Sequence, residues 1–386
     1  MCPACGARAM WVFYTQANVP ASSNVALRSR EQALSYPRGS LRLGLCEACG
    51  FISNVDFDPQ VAAVAGSEES QGFSAVFREF ARDLAGGWIQ KYDLQEKEIL
   101  EIGCGKGEFL VMMCELADGR GVGIDPAFVE GRSETAGSDQ TRFVREPFSV
   151  EHSSLVGDAM VCRHTLEHIP DVSRFLSTIR AAVGRRSPVL LFELPDAMRV
   201  LREGAFWDVY YEHCSYFTTG SLARAFRAAG FDVLDVRLEY DGQYIIAECR
   251  PTEGPGHIHA NEETAEECRV AALEFADKTS HTVGAWRARL DEERRAGRRV
   301  VLWGAGSKAV GFLTSLDGAG DIDHIVDINP YKHGTYLPVT GQEIVSPEAL
   351  SDSRPDLVVI MNPVYLEEIS RQLAELGVAA RVEAVG

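Results

Sequence analysis

The stretch FWDVYYEHCSYF, residues 206–217, puts an acid and an imidazole inside a run of six aromatic residues. A run this aromatic is typical of a protein core, but burying a charged group without a partner is costly. Glu212 and His213 therefore lie either on a surface loop packed by its own rings or in a pocket where the polar pair does chemistry. Histidine suits the second alternative, because its ordinary pKa is near neutral pH.

Four cysteines form two knuckle patterns. Cys2 and Cys5 form one C-x-x-C, Cys46 and Cys49 form another, and a glycine follows each pair directly. Two thiolates at this spacing reach one ion, and four thiolates suit tetrahedral zinc. Such a site is structural, because four protein ligands leave no open position for a substrate. The alternatives are two unrelated turns or a redox C-x-x-C. We expect the long segment between the knuckles to be rich in β-structure.

A glycine turn follows a short apolar strand in KEILEIGCGKGEFL. Glycines at a strand-to-helix turn let a ligand approach the backbone, and an acid at the end of the next strand can hold two ribose hydroxyls. Asp125 ends that next strand. The acid before the first glycine and the lack of a G-x-G-x-x-G spacing favour S-adenosylmethionine (SAM) over a dinucleotide. The candidate cofactor-binding residues are Glu101, Gly103, Cys104, Gly105, Gly107, Asp125, Glu146, Arg163 and His164.

Strands and helices that alternate must position these residues. The segments EILEIG, GRGVGID, TRFVRE, GDAMVCRH and SPVLLFELPD read as strands, and polar residues gather where each one ends. This pattern predicts a doubly wound, mostly parallel α/β sheet. We expect a zinc-binding module over residues 1–70, the cofactor domain over 71–255, a helical linker over 256–298 and a smaller α/β domain over 299–386.

The last segment repeats the strand, glycine turn and helix in RRVVLWGAGSKAVGFL. Its turn could seat a pyrophosphate at the helix N-terminus, or it could be a scaffold without a ligand. An NAD-binding role needs an acid at the end of the next strand, and Asp327 is the candidate. The candidate substrate-binding residues are Gly304, Gly306, Ser307, Lys308, Asn329, Tyr331 and Lys332.

Bulk composition excludes several classes of function. The chain has 386 residues and a net charge of −18, whereas a nucleic-acid binder normally carries a basic face. It contains no apolar run long enough to span a bilayer and no signal-peptide pattern. We expect a cytoplasmic protein with reduced cysteines, a small-molecule substrate, no nucleic-acid or membrane partner, and a monomeric or weakly dimeric state.

Taken together, the double C-x-x-C head, the EIGCGKG core, the Y-x-E-H element and the WGAGSKA…VDINPYKHGTYLPVTG tail resemble the sugar C-methyltransferases. Members of that family methylate the C-3 carbon of dTDP-linked 4-keto-deoxysugars in antibiotic biosynthesis. The resemblance implies a class I SAM methyltransferase core with a Rossmann-like C-terminal domain that helps to hold the nucleotide. It also implies that Tyr210, Glu212 and His213 line the sugar pocket and that His213 is the base.

Methylation of carbon requires a base to remove a hydrogen next to a ketone and a donor to stabilise the enolate oxygen. Histidine fits the first role and tyrosine the second. Glu212 would either fix the imidazole tautomer or bind a hydroxyl or amine of the substrate. His164 and His168 are rivals for the base, but we expect His164 to line the SAM pocket and His168 to pack against or cap the next helix. The six rings would wall the pocket.

The chain departs from the family at two positions. No tyrosine occurs between Tyr36 and Tyr92, where the family carries a pocket tyrosine, and MNPVYLEEI stands where relatives tend to show Trp-Asn. These departures favour the alternative of a non-sugar acceptor methylated at carbon, oxygen or nitrogen. Less favoured alternatives are an NAD-binding protein and a zinc scaffold.

Overall fold

The computed structural model describes residues 1–62, 68–130, 139–317, 320 and 322–385. Three sheets organise these residues, with four, seven and five strands. Within this described part of the chain, no helix is long and apolar enough to cross a membrane.

The first segment forms a small antiparallel sheet. Its elements are β1 (Trp11–Pro20), α1 (Arg30–Leu34), β2 (Arg38–Leu45), β3 (Ile52–Asn54) and α2 (Pro59–Ala62). β1 pairs with β2 and β2 pairs with β3. Leu41, Leu43 and Leu45 are buried together, because alternate residues of a strand face the same side.

The second segment forms the central sheet and its helices. Its elements are α3 (Ala75–Tyr92), β4 (Glu98–Ile102), α4 (Glu108–Ala117), β5 (Arg120–Ile124), β6 (Thr141–Val144), β7 (Ala159–Arg163), α5 (Val172–Val183), β8 (Val189–Pro195), α6 (Ala197–Glu203), β9 (Ser215–Tyr216), α7 (Thr219–Ala228), β10 (Phe231–Glu239) and β11 (Tyr244–Pro251).

The strand order in this sheet is β10-β11-β8-β7-β4-β5-β6. β4 to β8 run parallel, and β10 and β11 form an antiparallel hairpin at one edge. The order reverses between β4 and β7, and ligands of open α/β sheets bind in the crevice at such a point. The turn after β4 and the loop after β7 therefore meet where a cofactor is expected.

The last segment begins with a long helix and ends in a parallel sheet. Its elements are α8 (Ala265–Arg295), β12 (Val300–Trp303), α9 (Ser307–Ser315), β13 (Ile322–Val326), β14 (Glu343–Val345), α10 (Leu350–Ser353), β15 (Leu357–Ile360), α11 (Leu366–Glu375) and β16 (Arg381–Ala384). The strand order is β14-β13-β12-β15-β16, with every pair parallel. This is the second Rossmann-like sheet that the sequence predicts.

The first sheet is completed by residues from the second segment. β9 pairs with β3 in antiparallel register, with Ser53 opposite Ser215 and Ile52 opposite Tyr216. These two strand residues lie just after His213 in the chain. The N-terminal sheet and the Y-x-E-H element are therefore parts of one structure, although the sequence predicts a domain boundary near residue 70.

A largely buried ion-pair cluster fastens the last segment to the central one. Asp208 lies in a 3-10 turn, Phe206–Asp208, and its two carboxylate oxygens accept hydrogen bonds from Lys308 Nζ at 2.5 and 2.6 Å. Arg199 of α6 also pairs with Asp208. Burial alone would raise the pKa of Asp208, but the Lys308 and Arg199 cations outweigh it and hold the pKa well below its usual range.

We expect Asp208→Asn to lower the free energy of unfolding by roughly 3–5 kcal/mol at pH 7, because removing one partner leaves buried charges uncompensated. Urea denaturation would measure this. A suitable control is Asp235→Asn, which removes partly exposed pairs with Lys91 and Arg237 and should cost less than about 1 kcal/mol. Equal losses in the two variants would show that the Asp208 cluster does not hold the segments together.

The same cluster predicts a pH dependence. The folded state lowers the pKa of Asp208, so its stabilisation is complete above the unfolded-state pKa of roughly 3.9 and declines as the pH falls below it. Wild type should therefore lose its stability advantage over Asp208→Asn in strong acid.

Candidate active site

The glycine turn after β4 is packed tightly on one side and open on the other. Gly103, Gly105 and Gly107 have φ values of 71°, 55° and 83°, which side-chain-bearing residues rarely adopt. A Cβ on Gly103 would lie 2.0 Å from Thr165 Oγ1, whereas a Cβ on Gly105 would meet nothing within 4 Å. The turn thus rests on the loop after β7 and leaves its Gly105 backbone accessible.

Asp125 follows β5 and faces this turn. Its Oδ2 accepts a hydrogen bond from the Gly105 amide at 2.8 Å, and its Oδ1 accepts one from the Ala127 amide at 2.7 Å. The carboxylate is only partly buried. It is therefore held at the turn by backbone donors and can still accept hydrogen bonds from a ligand, as the sequence predicts.

Glu101 lies buried beneath the turn, and its Oε2 has no hydrogen-bond partner among the described residues. Burial raises its pKa to about 7, although Arg163 opposes this shift. Arg163 itself donates from Nε to Glu193 Oε2 at 2.5 Å and stacks over the Phe109 ring at 3.8 Å. Glu101 thus has a free acceptor, and Arg163 has a free buried donor, because its Nη2 has no hydrogen-bond partner among the described residues.

Two further candidates lie at the edges of this region. Glu146 is exposed, and its nearest charged partner is His152, with 3.4 Å between Oε2 and Nε2. Cys104 lies within the turn, where burial raises the pKa of its thiol above the usual range. Neither side chain has a contact that marks it as a cofactor ligand.

His164 is clamped between two carboxylates. Its Nε2 lies 2.9 Å from Glu193 Oε1 and its Nδ1 lies 3.6 Å from Glu167 Oε1. Burial disfavours the imidazolium, but the two carboxylates outweigh it and raise the pKa of His164 to about 10. A histidine that is protonated at neutral pH cannot take a proton from a substrate, so His164 is not a rival for the base.

A cavity of about 670 Å³ lies where the three segments meet. The loop after β7 contributes His164, Glu167 and His168 to its wall, so the cavity begins beside the glycine turn. Its other lining residues include Ser22, Asn24, Gln71, Phe73, Arg199, Asp208, Tyr210, Glu212, His213, Tyr244, Trp303, Gly304, Gly306, Ser307, Lys308, Met361, Asn362 and Tyr365. No single domain encloses this space.

The six rings of the opening stretch do not wall the cavity together, contrary to the expectation from the sequence. Tyr210 is the one that lines it. Phe206 and Trp207 pack in the core against α9, and the Tyr216 hydroxyl donates to the Tyr210 carbonyl at 2.9 Å. Tyr211 contacts the backbone of Asp58. Most of the aromatic run is therefore core that supports the polar residues.

Tyr210 and Glu212 both have partners that the sequence did not suggest. The Tyr210 hydroxyl donates to Asp208 Oδ1 at 2.7 Å. Glu212 Oε1 accepts from the Ser23 amide at 2.8 Å and from the Ser23 hydroxyl, while its buried Oε2 has no partner among the described residues. Glu212 therefore does not fix the His213 tautomer, and its free oxygen fits the alternative role of binding the acceptor.

His213 faces the cavity within a cage of rings. The rings of Tyr210 and His168 meet it edge-on, each with centroids 4.8 Å away. Burial and the nearby His168 lower the pKa of His213 to about 3, so the imidazole is neutral at neutral pH. His213 thus faces the cavity as a neutral imidazole that can accept a proton, although the burial that keeps it neutral also weakens it as a base.

His168 does not cap the next helix, as the sequence led us to expect. Asp171 caps α5, with its Oδ1 accepting from the Arg174 amide at 3.1 Å. His168 lies instead in a 3-10 turn, Leu166–His168, and its Nδ1 is 3.0 Å from the Glu212 carbonyl oxygen. It links the loop after β7 to the Y-x-E-H element.

The second glycine turn lines the far end of the cavity. Ser307 Oγ accepts from Asn24 Nδ2 at 2.9 Å and from Ser23 Oγ at 2.7 Å, so the N-terminal segment contacts the start of α9. Asp327 is buried, and its Oδ2 accepts from the Ala305 amide at 2.7 Å. This acid has the position that an NAD ribose would require and lies in the cavity wall, but it is only 1% exposed.

Three of the candidate residues after β13 do not line the cavity. Lys332 is buried and donates from Nζ to the Ala305 carbonyl at 2.9 Å. Asn329 is also buried and donates to the Glu69 carbonyl at 2.9 Å. Tyr331 is 53% exposed, with Phe73 as its ring neighbour. Of the seven candidate substrate-binding residues, only Gly304, Gly306, Ser307 and Lys308 line the cavity.

The four cysteines of the two knuckles converge. Cys2 Sγ lies 3.8 Å from Cys49 Sγ, and Cys5 Sγ lies 3.6 Å from Cys46 Sγ. A tetrahedral ion with metal–sulfur bonds near 2.3 Å would hold its sulfurs about 3.8 Å apart. These distances are too long for disulfides, and all the cysteines are free thiols. The donor set and its dimensions fit zinc.

Several site residues were not identified from the sequence. Asp208 lies within the opening stretch but is hidden among its aromatics, and Glu193 is the single acid in the apolar strand LLFELP. An acid inside a buried strand is a signal, because such a group requires partners. Glu167 sits between the two rival histidines and gives no comparable signal in the sequence.

Comparisons with known proteins agree with this architecture. A family profile described as a methyltransferase domain matches residues 71–236, and one described as a C-methyltransferase C-terminal domain matches residues 252–380. The C-methyltransferase NovU of Streptomyces niveus is 29% identical over 297 residues, which are 70% of this chain and 67% of NovU.

Solved structures of methyltransferases align with part of the chain. A Burkholderia thailandensis 1,6-didemethyltoxoflavin-N1-methyltransferase with bound S-adenosylhomocysteine is 20% identical, with a TM-score of 0.36, over 50% of this chain and 94% of that one. CalO1, a methyltransferase in calicheamicin biosynthesis, is also 20% identical with a TM-score of 0.36, over 46% of this chain and 55% of CalO1. The two family profiles and the similarity to NovU show that the chain is a SAM-dependent methyltransferase, and both the second profile and NovU are described as C-methyltransferases.

Proposed function

We propose that the enzyme methylates a carbon next to a ketone, with His213 as general base and a dTDP-linked 4-keto-deoxysugar as acceptor. The observation that carries this proposal is the position of a neutral His213 in a cavity that begins beside the glycine turn. The loop after β7 forms part of both the glycine-turn site and the cavity, since Thr165 packs on Gly103 and His164 lines the cavity. A methyl donor and an acceptor bound on the two sides of that loop would be neighbours.

The first glycine turn is the proposed SAM site. Asp125 would accept hydrogen bonds from the ribose hydroxyls, and Glu101 has a buried free oxygen for the positive end of the methionine moiety. When bound, SAM supplies an electrophilic methyl group on a sulfonium. The chain's own residues then have to orient the acceptor carbon and exclude water.

We expect Asp125→Ala to weaken SAM binding by roughly 1.5–3 kcal/mol, because hydrogen bonds to a charged acceptor are lost. Isothermal titration calorimetry would measure this. Asp327→Ala is the matched control, because Asp327 holds the second glycine turn through the same kind of backbone bond. Unchanged affinity in Asp125→Ala, or a loss confined to Asp327→Ala, would contradict the proposed cofactor site.

In the proposed mechanism, a ring nitrogen of His213 takes the proton from the acceptor carbon. The enolate oxygen needs a donor at that moment, and Tyr210 is the nearest phenol in the cavity wall. The Tyr210 hydroxyl now donates to Asp208. If Tyr210 turned toward the acceptor, Asp208 would still be paired with Lys308 and Arg199. The free oxygen of Glu212 would accept a hydrogen bond from an acceptor hydroxyl.

The far end of the cavity supports a nucleotide-linked acceptor. The Gly304 and Gly306 backbone, the start of α9 and Lys308 face it there, and helix N-termini and lysines suit phosphate oxygens. The similarity to the C-methyltransferase NovU supports methylation at carbon. The acceptor's diphosphate would lie at the second turn and its sugar beside His213.

The two departures from the sugar family favour a second candidate, a methyltransferase of the same build with a non-sugar acceptor. Gln71 and Phe73 line the cavity in the segment that lacks the family's tyrosine, and Met361 lines it in the MNP sequence. Both changes affect the wall around the acceptor. Neither departure changes His213 or a residue of the first glycine turn.

We expect His213→Asn to keep SAM affinity and the fold but to lose at least roughly 100-fold in rate, the contribution of a positioned base. In D₂O without SAM, wild type should exchange deuterium into the carbon next to the ketone of a dTDP-4-keto-deoxysugar, and the variant should not. Mass spectrometry would measure the exchange. His281→Asn, which changes an exposed histidine on α8, is the control and should exchange normally.

Persistent exchange in His213→Asn would assign the base role to another group. No exchange by wild type with a bound acceptor would contradict C-methylation of that sugar and favour the second candidate. Neither outcome depends on how SAM binds, because the assay measures proton abstraction alone.

The four-cysteine cluster is the proposed structural zinc site. Each knuckle turns through a glycine with positive φ, Gly6 at 76° and Gly50 at 72°, and their amides donate to the carbonyls of Cys2 and Cys46. Matching turns present four thiolates to one point. Three of the four cysteines are buried against the central domain, so the ion would contribute to folding.

We expect about one zinc per chain in protein purified without chelators, as measured by elemental analysis. Cys46→Ala should lose the metal and melt at a lower temperature, because a structural ion contributes folding free energy. Cys114→Ala removes a buried cysteine outside the cluster and should keep its zinc. A folded, metal-free wild type would contradict the proposed site.

A further inference from the structure

A second set of potential metal ligands lies in the acceptor cavity. Glu167, His168 and His213 each present one ligand atom, and these atoms lie within 4.8 Å of one another. Glu167 and His168 belong to the 3-10 turn after β7, and His213 precedes β9. All three line the cavity. The set therefore joins two distant parts of the chain at a point that ligands can reach.

Glu167 and His168 each have one polar atom that is already held and another that is free. His168 Nδ1 lies 3.0 Å from the Glu212 carbonyl oxygen and so carries a proton, which leaves Nε2 as the nitrogen that a metal ion can bind in the neutral ring. Glu167 Oε1 lies 3.6 Å from His164 Nδ1, while its buried Oε2 has no partner among the described residues. Metal-binding histidines and carboxylates are commonly oriented by such outer contacts.

His213 completes the set. No hydrogen bond joins either of its ring nitrogens to another described residue, and its ring is held instead by edge contacts with Tyr210 and His168. Two imidazoles and one carboxylate suit borderline divalent ions such as Zn²⁺, Co²⁺ and Ni²⁺, whereas Mg²⁺ and Ca²⁺ prefer oxygen ligands. Three protein ligands also leave coordination positions open toward the cavity.

We propose that Glu167, His168 and His213 form a divalent transition-metal site, distinct from the four-cysteine cluster, and that its occupation inhibits the enzyme. A metal ion on His213 uses the lone pair that would take the acceptor's proton. Metal binding and proton abstraction are therefore mutually exclusive. The proposed inhibition rests on the proposed function of His213, whereas the proposed metal binding does not.

Co²⁺ titration of the zinc-loaded protein tests the binding. Wild type should gain one further Co²⁺ per chain, seen as visible d–d absorption without the thiolate charge-transfer bands that cobalt at the cysteine cluster would produce. His168→Ala and Glu167→Gln should each weaken Co²⁺ at least about 100-fold, because losing even an outer partner of a ligand costs roughly 10- to 100-fold. His281→Ala controls for binding by exposed histidines.

The proposal is overturned if wild type gains no Co²⁺, or if His168→Ala and Glu167→Gln bind it as tightly as wild type. A loss in His281→Ala equal to that in His168→Ala would also overturn it, because binding would then be a general property of surface histidines. His168 is exposed, so its replacement by alanine tests the site without creating a cavity in the core.

Deuterium exchange tests the inhibition. Saturating Co²⁺ should reduce wild-type exchange at least tenfold, and desalting should restore it, whereas the ratio of rates with and without Co²⁺ should be near one in His168→Ala. Co²⁺ that binds without slowing exchange would overturn the proposed inhibition. Wild type that fails to exchange even without metal would contradict the proposed function, and the Co²⁺ titration would still decide the metal site.

Discussion

One buried carboxylate fixes the loop on which both proposed binding sites depend. Glu193 is 1% exposed in β8, and it pairs with Arg163 and His164 through its two oxygens, while its carbonyl accepts the His164 amide. Burial opposes its ionisation, yet the two cations lower its pKa to about 2. Without Glu193, Arg163 would lose its buried ion-pair partner and His164 would keep only its longer contact with Glu167, so the contacts that hold His164 at its positive φ of 45° would weaken. From that position Thr165 supports the Gly103 turn, and the residues that follow line the cavity.

The two Rossmann-like sheets hold their glycine turns by the same kind of hydrogen bond, but the two turns differ in what a ligand can reach. In each, an acid after the second strand accepts a hydrogen bond from an amide of the glycine turn, Asp125 from Gly105 and Asp327 from Ala305. Asp125 stays partly exposed, whereas Asp327 is 1% exposed and Lys332 lies beneath the turn with its ammonium on the Ala305 carbonyl. The chain's own cation thus lies against the inner side of the second turn, while Gly304 and Gly306 face the cavity. The second turn therefore suits part of an acceptor better than a whole dinucleotide.

Local chemistry explains which features could be predicted from the sequence. The glycine turns, the acids that end strands and the C-x-x-C knuckles are set by residues close together in the chain, and the strand–turn–helix order follows from them. The aromatic run was misread because Phe206 and Trp207 pack against α9, a contact that no local pattern encodes. Glu212 was read beside His213, but its carboxylate bonds Ser23, 189 positions earlier in the chain. Roles that depend on such long-range pairs follow only from the fold.

The proposed zinc site is mechanically connected to the proposed base, although it takes no part in the chemistry. The second knuckle leads directly into β3, and β3 pairs with β9, whose first residue, Ser215, is two positions after His213. The Asn54 amide also donates to the Cys214 carbonyl at 3.0 Å, next to the base itself. Short strands are only marginally stable by themselves. We therefore expect a knuckle that is held by a metal ion to stabilise the pairing of β3 with β9. If the proposed ion were lost, the segment that carries Tyr210, Glu212 and His213 would lose this support, because the proposed zinc site and the proposed base are joined through one sheet.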